Sequence, residues 1–209
     1  MSAADRQSQR RDLLVDAGFD LLGTAGWSAT TVRAVVERSA LNPRYFYESF
    51  ADLDALIVAV YDRVVSDLGV IVLDALAASA DEPAAQARAV VRGIVEFVDE
   101  DRRRGRVLYA EGLGNEALNL RRMEAGRAVV GFIERYAAER GGVAPGGEHI
   151  GRVGAAILVG GFSQLLIDWL GGLVPGTRDQ LIDDATELFL ALGDAAAAAS
   201  RRLRAKGSG

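Results

Sequence analysis

Four aromatic side chains and one guanidinium fall within nine residues at Asn42-Pro43-Arg44-Tyr45-Phe46-Tyr47-Glu48-Ser49-Phe50. That mixture suits contact with nucleic acid better than bond-breaking chemistry. A guanidinium such as that of Arg44 can pair bidentately with guanine N7 and O6. Pro43 or Tyr45 can meet a thymine methyl or a sugar, and the hydroxyls of Tyr47 and Ser49 suit phosphate oxygens. Pro43 stands where a short helix would begin, a position that tolerates its missing N–H. Phe46 and Phe50, four residues apart, share the buried face of that helix. Asn42, Pro43, Arg44, Tyr45, Tyr47 and Ser49 are then left toward a groove and its phosphates.

The neighbouring residues supply the elements that must hold such a helix. Thr30 to Ser39 reads as another short helix, with Thr30 as N-cap and Val32, Val35 and Val36 on one face. Ser39-Ala40-Leu41-Asn42 is then a tight connection. Two short helices so joined make a helix-turn-helix whose second helix would lie in a DNA major groove. Upstream, Leu13, Leu14, Ala17, Leu21 and Leu22 give the spacing of a first helix that Gly26 stops, and Trp27 joins the small core. Met1 to Arg11 reads as a polar arm, disordered at its start. Arg6, Arg10 and Arg11 serve there either as phosphate contacts or as an ordinary solvated terminus. Downstream, Asp52 caps a long helix with apolar positions 56, 57, 60, 61, 64, 65, 68, 71 and 72, running to about Ser79.

From Leu14 to Leu56 these residues resemble the DNA-binding domain of TetR-type transcriptional regulators. The resemblance is carried by Thr30-Thr31-Val32-Arg33, Phe46-Tyr47, Phe50 and Asp52-Leu53-Asp54-Ala55-Leu56. It implies an all-α chain of about nine helices. A three-helix helix-turn-helix domain would occupy residues 1–51, and a helical effector-binding and dimerisation domain residues 52–209. It places Arg33, with Thr30 and Thr31 beside it, where family members reach a base or a phosphate. It makes the long helix the lever between head and body. Two positions depart from the family's habit: Ala40 stands where glycine is usual in the turn, and Leu53 where a lysine often contacts phosphate.

Bulk composition narrows the other classes. Net charge is −5, yet residues 1–50 carry six arginines against six acids, so residues 51–209 hold the whole excess. A neutral reader on an acidic body binds DNA through focused contacts and as a dimer, with weak non-specific affinity. The chain has no cysteine, which excludes disulfides, thiol catalysis and cysteine zinc sites and fits a reducing cytoplasm. No charged-then-apolar leader opens the sequence, so the expected location is cytoplasmic. Val153 to Ile167 is apolar but too short to cross a bilayer, so no membrane partner is expected. His149 is the sole histidine, beside a glycine-rich loop, and no two-histidine metal spacing or Ser/His/Asp arrangement exists. No catalytic residue, metal or cofactor is assigned.

The rest of the body reads as helices. Asp81-Glu82-Pro83 opens one with Val90, Val91, Ile94, Val95 and Val98 on its apolar face. The cluster Arg102, Arg103, Arg104 and Arg106 behind it reads as a solvated loop. A short helix from Val107 to Gly112 or Gly114 and a longer one from about Asn115 to Arg140 follow. Gly141 to Gly147 is the clearest loop, and two helices, about Glu148–Leu170 and Arg178–Leu203, complete the chain, with fraying from Arg204. The small residues Gly151, Gly154, Ala155, Ala156, Gly160 and Gly161 would let helices approach closely. The last two helices are therefore the expected homodimer interface, as in a TetR-like four-helix arrangement, with internal core as the alternative. The helices on which the family lines its ligand pocket carry Phe97, Tyr109, Phe132, Tyr136, Gln164, Asp168 and Trp169. These would hold a mostly apolar small-molecule effector of unknown identity. The resulting reading is a ligand-responsive repressor that binds a palindromic double-stranded DNA operator. The alternatives are a protein-interaction module of the same fold that has lost operator binding, or an enzyme on a helical bundle.

Overall fold

The computed structural model describes residues 2–110, 115–140 and 147–207. Among these residues every regular element is helical. The helices are α1 (Ala3–Thr24), α2 (Val32–Ser39), α3 (Pro43–Ser49), α4 (Leu53–Ala78), α5 (Pro83–Glu100), α6 (Arg102–Gly105), α7 (Glu116–Glu139), α8 (Glu148–Leu170) and α9 (Arg178–Gly207). A 3-10 turn lies at Trp27–Ala29 and a π-helical turn at Arg106–Ala110. The expected all-α fold of about nine helices is what forms. Two compact units result, one of Met1–Val70 with Phe97–Arg122 and the other of Ile71–Glu96 with Met123–Gly209.

In the first unit α1 begins earlier than the polar arm suggested. Ser2 and Asp5 form a capping box, Asp5 N to Ser2 Oγ at 3.0 Å and Ser2 N to Asp5 Oδ2 at 2.7 Å. That pairing satisfies two orphan N–H groups and carries the helix through the arginines of the arm. Leu14, Val15, Ala17 and Leu22 are buried, whereas Leu13 stays 41% exposed. Gly26 reverses the chain at φ 83°, a region closed to most side chains. α4 is capped by Asp52, whose Oδ1 accepts from Ala55 N at 2.8 Å, and it buries Leu56, Ile57, Val60, Tyr61 and Val64.

The arginine-rich segment after α5 is a structural clamp rather than a solvated loop. Asp101 caps α6 by accepting from Arg103 N at 3.0 Å, so the helix starts at Arg102, ahead of the expected Val107. Arg103 Nη1 reaches Asp20 of α1 at 2.7 Å, and Arg106 donates to the Thr24 carbonyl at 2.7 Å. Arg104 donates to the Phe97 carbonyl at 2.9 Å. α1 and α6 approach so closely that a Cβ on Gly23 would lie 2.5 Å from that of Arg103. The far end of the short helix expected to reach Gly112 or Gly114 lies outside the described residues. α7 begins under Asn115, buried at 4% exposure, which donates to Asp54 at 2.6 Å and accepts from Leu118 N at 2.7 Å.

In the second unit α8 and α9 form the most extensive helix pair. Phe162 meets Phe189 edge to face at 5.1 Å, and a Cβ on Gly154 would sit 3.5 Å from that of Ala196, an ordinary contact. Leu166, Leu181, Ile182 and Ala185 are buried. α8 forms over the expected Glu148–Leu170, with the apolar stretch Val153–Ile167 inside it. Its 23 residues, of which the most apolar 18 have a mean hydropathy of 1.6, are long and apolar enough to cross a membrane by length and composition, more than the 15-residue apolar stretch suggested. α9 continues to Gly207, past the expected fraying point at Arg204. Of the expected Gly141–Gly147 loop, residues 141–146 lie outside the described residues.

Candidate nucleic-acid interface

α1, α2 and α3 pack on one another through Leu14, Leu22, Val35, Val36, Phe46 and Phe50. Phe46 is fully buried and Phe50 is 5% exposed, as their four-residue spacing required. Anchored from below, α3 turns its opposite side outward. Asn42, Pro43, Arg44 and Tyr47 are exposed, while Tyr45 and Ser49 are half-buried. Asn42 is itself the N-cap, its Oδ1 accepting from Arg44 N at 2.9 Å, so that oxygen is committed and its amide nitrogen faces outward as the donor end. Tyr47 stands 64% exposed with its ring edge-on to Phe46 at 5.3 Å.

The α2 end requires one correction. Thr31, not Thr30, is the N-cap: its Oγ1 accepts from Ala34 N at 3.1 Å. Thr30 is 2% exposed and donates its hydroxyl to the Gly26 carbonyl at 2.9 Å, which removes it from any surface that meets DNA. The shift by one residue puts Arg33 in the first turn of α2, its side chain 87% exposed and its Nε 2.8 Å from Glu37 Oε1. Arg44 makes the same pairing with Glu48, at 2.7 Å and 81% exposure. Each glutamate bonds its guanidinium and holds the arginine pKa above its ordinary value, so both arginines stay charged. Fully exposed pairs of this type contribute little, so either can be exchanged for a phosphate or a base. The turn places Ala40 in the left-handed region, φ 54° and ψ 28°.

Two features of the head had only a faint signal in the sequence. The first is a pair of stacks from α1: the Arg10 guanidinium lies 4.4 Å from the Tyr45 ring centre, and that of Arg11 lies 4.6 Å from the Phe50 ring. Only helical continuity from Ser2 onward brings these arginines to α3. The second is a cleft of about 670 Å³ lined by Asp16, Phe19, Asp20, Arg38, Arg63 and Arg103, among others. Its cations are paired, Arg63 with Asp16, Arg38 with Asp20, and Arg103 with both Asp20 and Asp101. No local spacing announces a carboxylate shared by helices this far apart in sequence.

The seven residues expected around an effector are divided between the units. In the first, Phe97 is 6% exposed beneath the Arg104 guanidinium, 4.4 Å from its ring centre. Tyr109 sits in the π-helical turn, its carbonyl accepting from Arg122. Loss of water raises the Tyr109 and Tyr61 phenols and lowers the Arg122 guanidinium. In the second unit Phe132 and Tyr136 stack at 5.9 Å, and the Tyr136 hydroxyl donates to Gln86 at 2.6 Å. Arg140 covers the Tyr136 ring at 3.9 Å. Gln164 donates to Asp168 at 2.9 Å on the exposed side of α8, and Trp169 borders a cavity of about 210 Å³ with Pro175, Gln180 and Asp184.

Known proteins share the sequence of the head and the fold of the chain. A family profile described as "Bacterial regulatory proteins, tetR family" matches residues 14–60, the span from the buried face of α1 into α4. Over that span the chain is similar to the TetR family. The HTH-type transcriptional regulator BetI of Burkholderia thailandensis is 35% identical over 82 residues. That match covers 39% of this chain and 42% of the relative's length, so it falls well short of the whole relative. A putative TetR-family transcriptional regulator from Syntrophomonas wolfei shares the fold at a TM-score of 0.74 with 13% identity, over 89% of this chain and 95% of that one. The multidrug binding protein EbrR, complexed with imidazole, shares it at 0.62 with 20% identity, over 86% and 94%. The matched family and BetI are both described as regulators, BetI as a helix-turn-helix regulator of transcription.

Proposed function

We propose that this chain is a TetR-type operator-binding repressor that acts as a homodimer, in the cytoplasm where the DNA is, and releases DNA when a small molecule occupies its helical body. The observation that carries the reading is α3: Phe46 and Phe50 are fixed in the core, and Arg44 and Tyr47 project from the opposite side. In this reading Thr31, Arg33, Asn42, Pro43, Arg44, Tyr45, Tyr47 and Ser49 form the reading surface. Two copies of α3 would enter successive major grooves about 34 Å apart. The body from residue 52 onward would bind the effector and dimerise.

The dimer is supported by the outer side of α8 and α9. Val153, Ile157 and Leu188 are 38%, 56% and 66% exposed, and a Cβ on Gly160 or Gly161 would meet nothing within 4 Å. Only 17% of the most apolar part of α8 is buried within the chain. A second copy with the same stripe would cover it, the small residues admitting close approach. An effector is supported by the fold that EbrR shares, and by the buried aromatic and phenolic groups of the body. A shift of the dimer toward a spacing that no longer fits the operator would couple the two events.

One observation favours a protein-interaction module instead. Arg33 and Arg44 each carry a glutamate, and the head has no net positive charge. Selection of the purified protein against a random duplex library at two salt concentrations separates the readings. A palindrome enriched with salt-dependent affinity is expected for the repressor. No enrichment at low salt, from protein shown by mass spectrometry to be free of bound ligand, overturns it.

A further inference from the structure

Most guanidiniums of the head are already spoken for. Arg33 pairs with Glu37, Arg38 with Asp20, and Arg44 with Glu48, so the charge of each is offset where it stands. Arg10 and Arg11 differ. Among the described residues no carboxylate pairs with either, and both lie over aromatic rings, Arg10 on Tyr45 at 4.4 Å and Arg11 on Phe50 at 4.6 Å. Tyr45 belongs to α3 itself, and Phe50 is its C-cap.

A guanidinium stacked on a ring uses its face and keeps its edge. Its N–H donors lie in the plane, pointing away from the ring system, in the fork geometry that matches a phosphate. The stack also restricts a long side chain that would otherwise lose its rotamer freedom on binding. The Ser2–Asp5 capping box keeps this part of α1 helical, so Arg10 is held by its own backbone as well as by Tyr45. Position 45 is the third residue of α3, in the half of the helix that carries Asn42, Pro43 and Arg44 outward.

We propose that Arg10, stacked on Tyr45 and seconded by Arg11 on Phe50, is a preorganised phosphate clamp that sets the register of α3 on duplex DNA. The inference rests on the operator-binding reading and adds to it a residue pair outside the helix-turn-helix. Arg33, Arg38 and Arg44 must first leave a carboxylate to reach DNA, whereas Arg10 and Arg11 need not. The positive charge that a neutral head presents to DNA is thus supplied by α1.

The test uses the full-length protein, the duplex selected by wild type, and an unrelated duplex of equal length, with affinity measured across a salt series. Each neutralised phosphate adds about 0.9 to the slope of log affinity against log salt. Arg10→Ala is expected to flatten the slope by about 0.9 per protomer and to weaken both duplexes by a similar factor, roughly tenfold, leaving base preference intact. Arg10→Lys is expected to restore the slope with only part of the affinity, because an ammonium stacks and forks poorly. Tyr45→Phe keeps the ring and should match wild type in slope. Tyr45→Leu keeps the charge but not the stack, and should lose affinity at nearly unchanged slope. A merely structural Arg10 would lower the melting temperature without moving the slope, so melting curves and the uncharged but still polar Arg10→Gln accompany the series. An unchanged slope in both Arg10→Ala and Arg10→Gln overturns the clamp and leaves operator binding standing. Absence of any salt-dependent duplex binding by wild type overturns both.

Discussion

Side chains in the head divide by what already occupies them. Arg44 has only the exposed Glu48 to leave before it can meet a base edge. Arg44→Ala is therefore expected to cost about 1–3 kcal/mol of operator affinity and to relax preference at one position of the selected sequence, readable by repeating the selection. Asp101 occupies the other extreme, holding Arg103 through side-chain and backbone bonds. The hydrogen bonds from Arg103 lower its carboxyl below the ordinary 3.8. A depressed folded-state value stabilises the fold above the unfolded value, and the contribution is lost as pH falls through the lower folded one. Thermal melts below about pH 4 should thus narrow the gap between wild type and Asp101→Asn, and the two should differ most near neutrality.

Helices and turns store the chain's local compromises. Ala40 takes a left-handed conformation that costs a side-chain-bearing residue about 1–2 kcal/mol, and glycine would recover part of it at some cost in unfolded-state entropy. Ala40→Gly is expected to raise stability by about 0.5–1 kcal/mol, a rise of roughly 1–4 °C in melting temperature for a chain of this size. The opposite outcome is expected at Gly23, where an added methyl meets the Arg103 backbone as well as its side chain. Gly23→Ala should push α6 off α1 at a cost of about 1–3 kcal/mol, seen as a lower denaturant midpoint. The π-helical turn behind α6 holds Tyr109 beside Arg122, so the same displacement should raise the protection-limited exchange of residues 106–110 in hydrogen-exchange measurements.

For the protein as a whole, α8 presents an apolar side that its own chain leaves open. Placing a charge there tests the dimer without touching the head. Ile157→Asp or Leu188→Lys is expected to give a monomer by sedimentation, with a folded circular-dichroism spectrum. Each should also lose operator affinity by two orders of magnitude or more, since one head keeps only half of the contacts. A variant that stays dimeric and binds normally would place the interface elsewhere. Loss of the wild type from detergent-free buffer, with both charged variants remaining in solution, would instead point to a membrane surface.

Local pattern was enough to reveal the helical class, the bounds of α7 and α8 to within about a residue, and the arrangement of α3. Each depends on residues close in sequence: Phe46 and Phe50 on one side of a helix, Pro43 at its first position, Asp52 at the next N-cap. Where two adjacent residues could play one part, pattern alone misassigned it. Thr30 and Thr31 are equally good caps on paper, and burial of Thr30 against Gly26 decides between them. The arginines after α5 look solvated in sequence because their partners, Asp20 and the Thr24 carbonyl, lie about eighty residues upstream. Arg10 and Arg11 look like a loose arm for the same reason, since the rings they cover belong to another helix. Hydrophobic period and capping act over one or two turns and can be read in the chain. Ion pairs, ring stacks and close helix approaches join residues that only folding brings together, and in this protein they determine which charges remain to meet DNA.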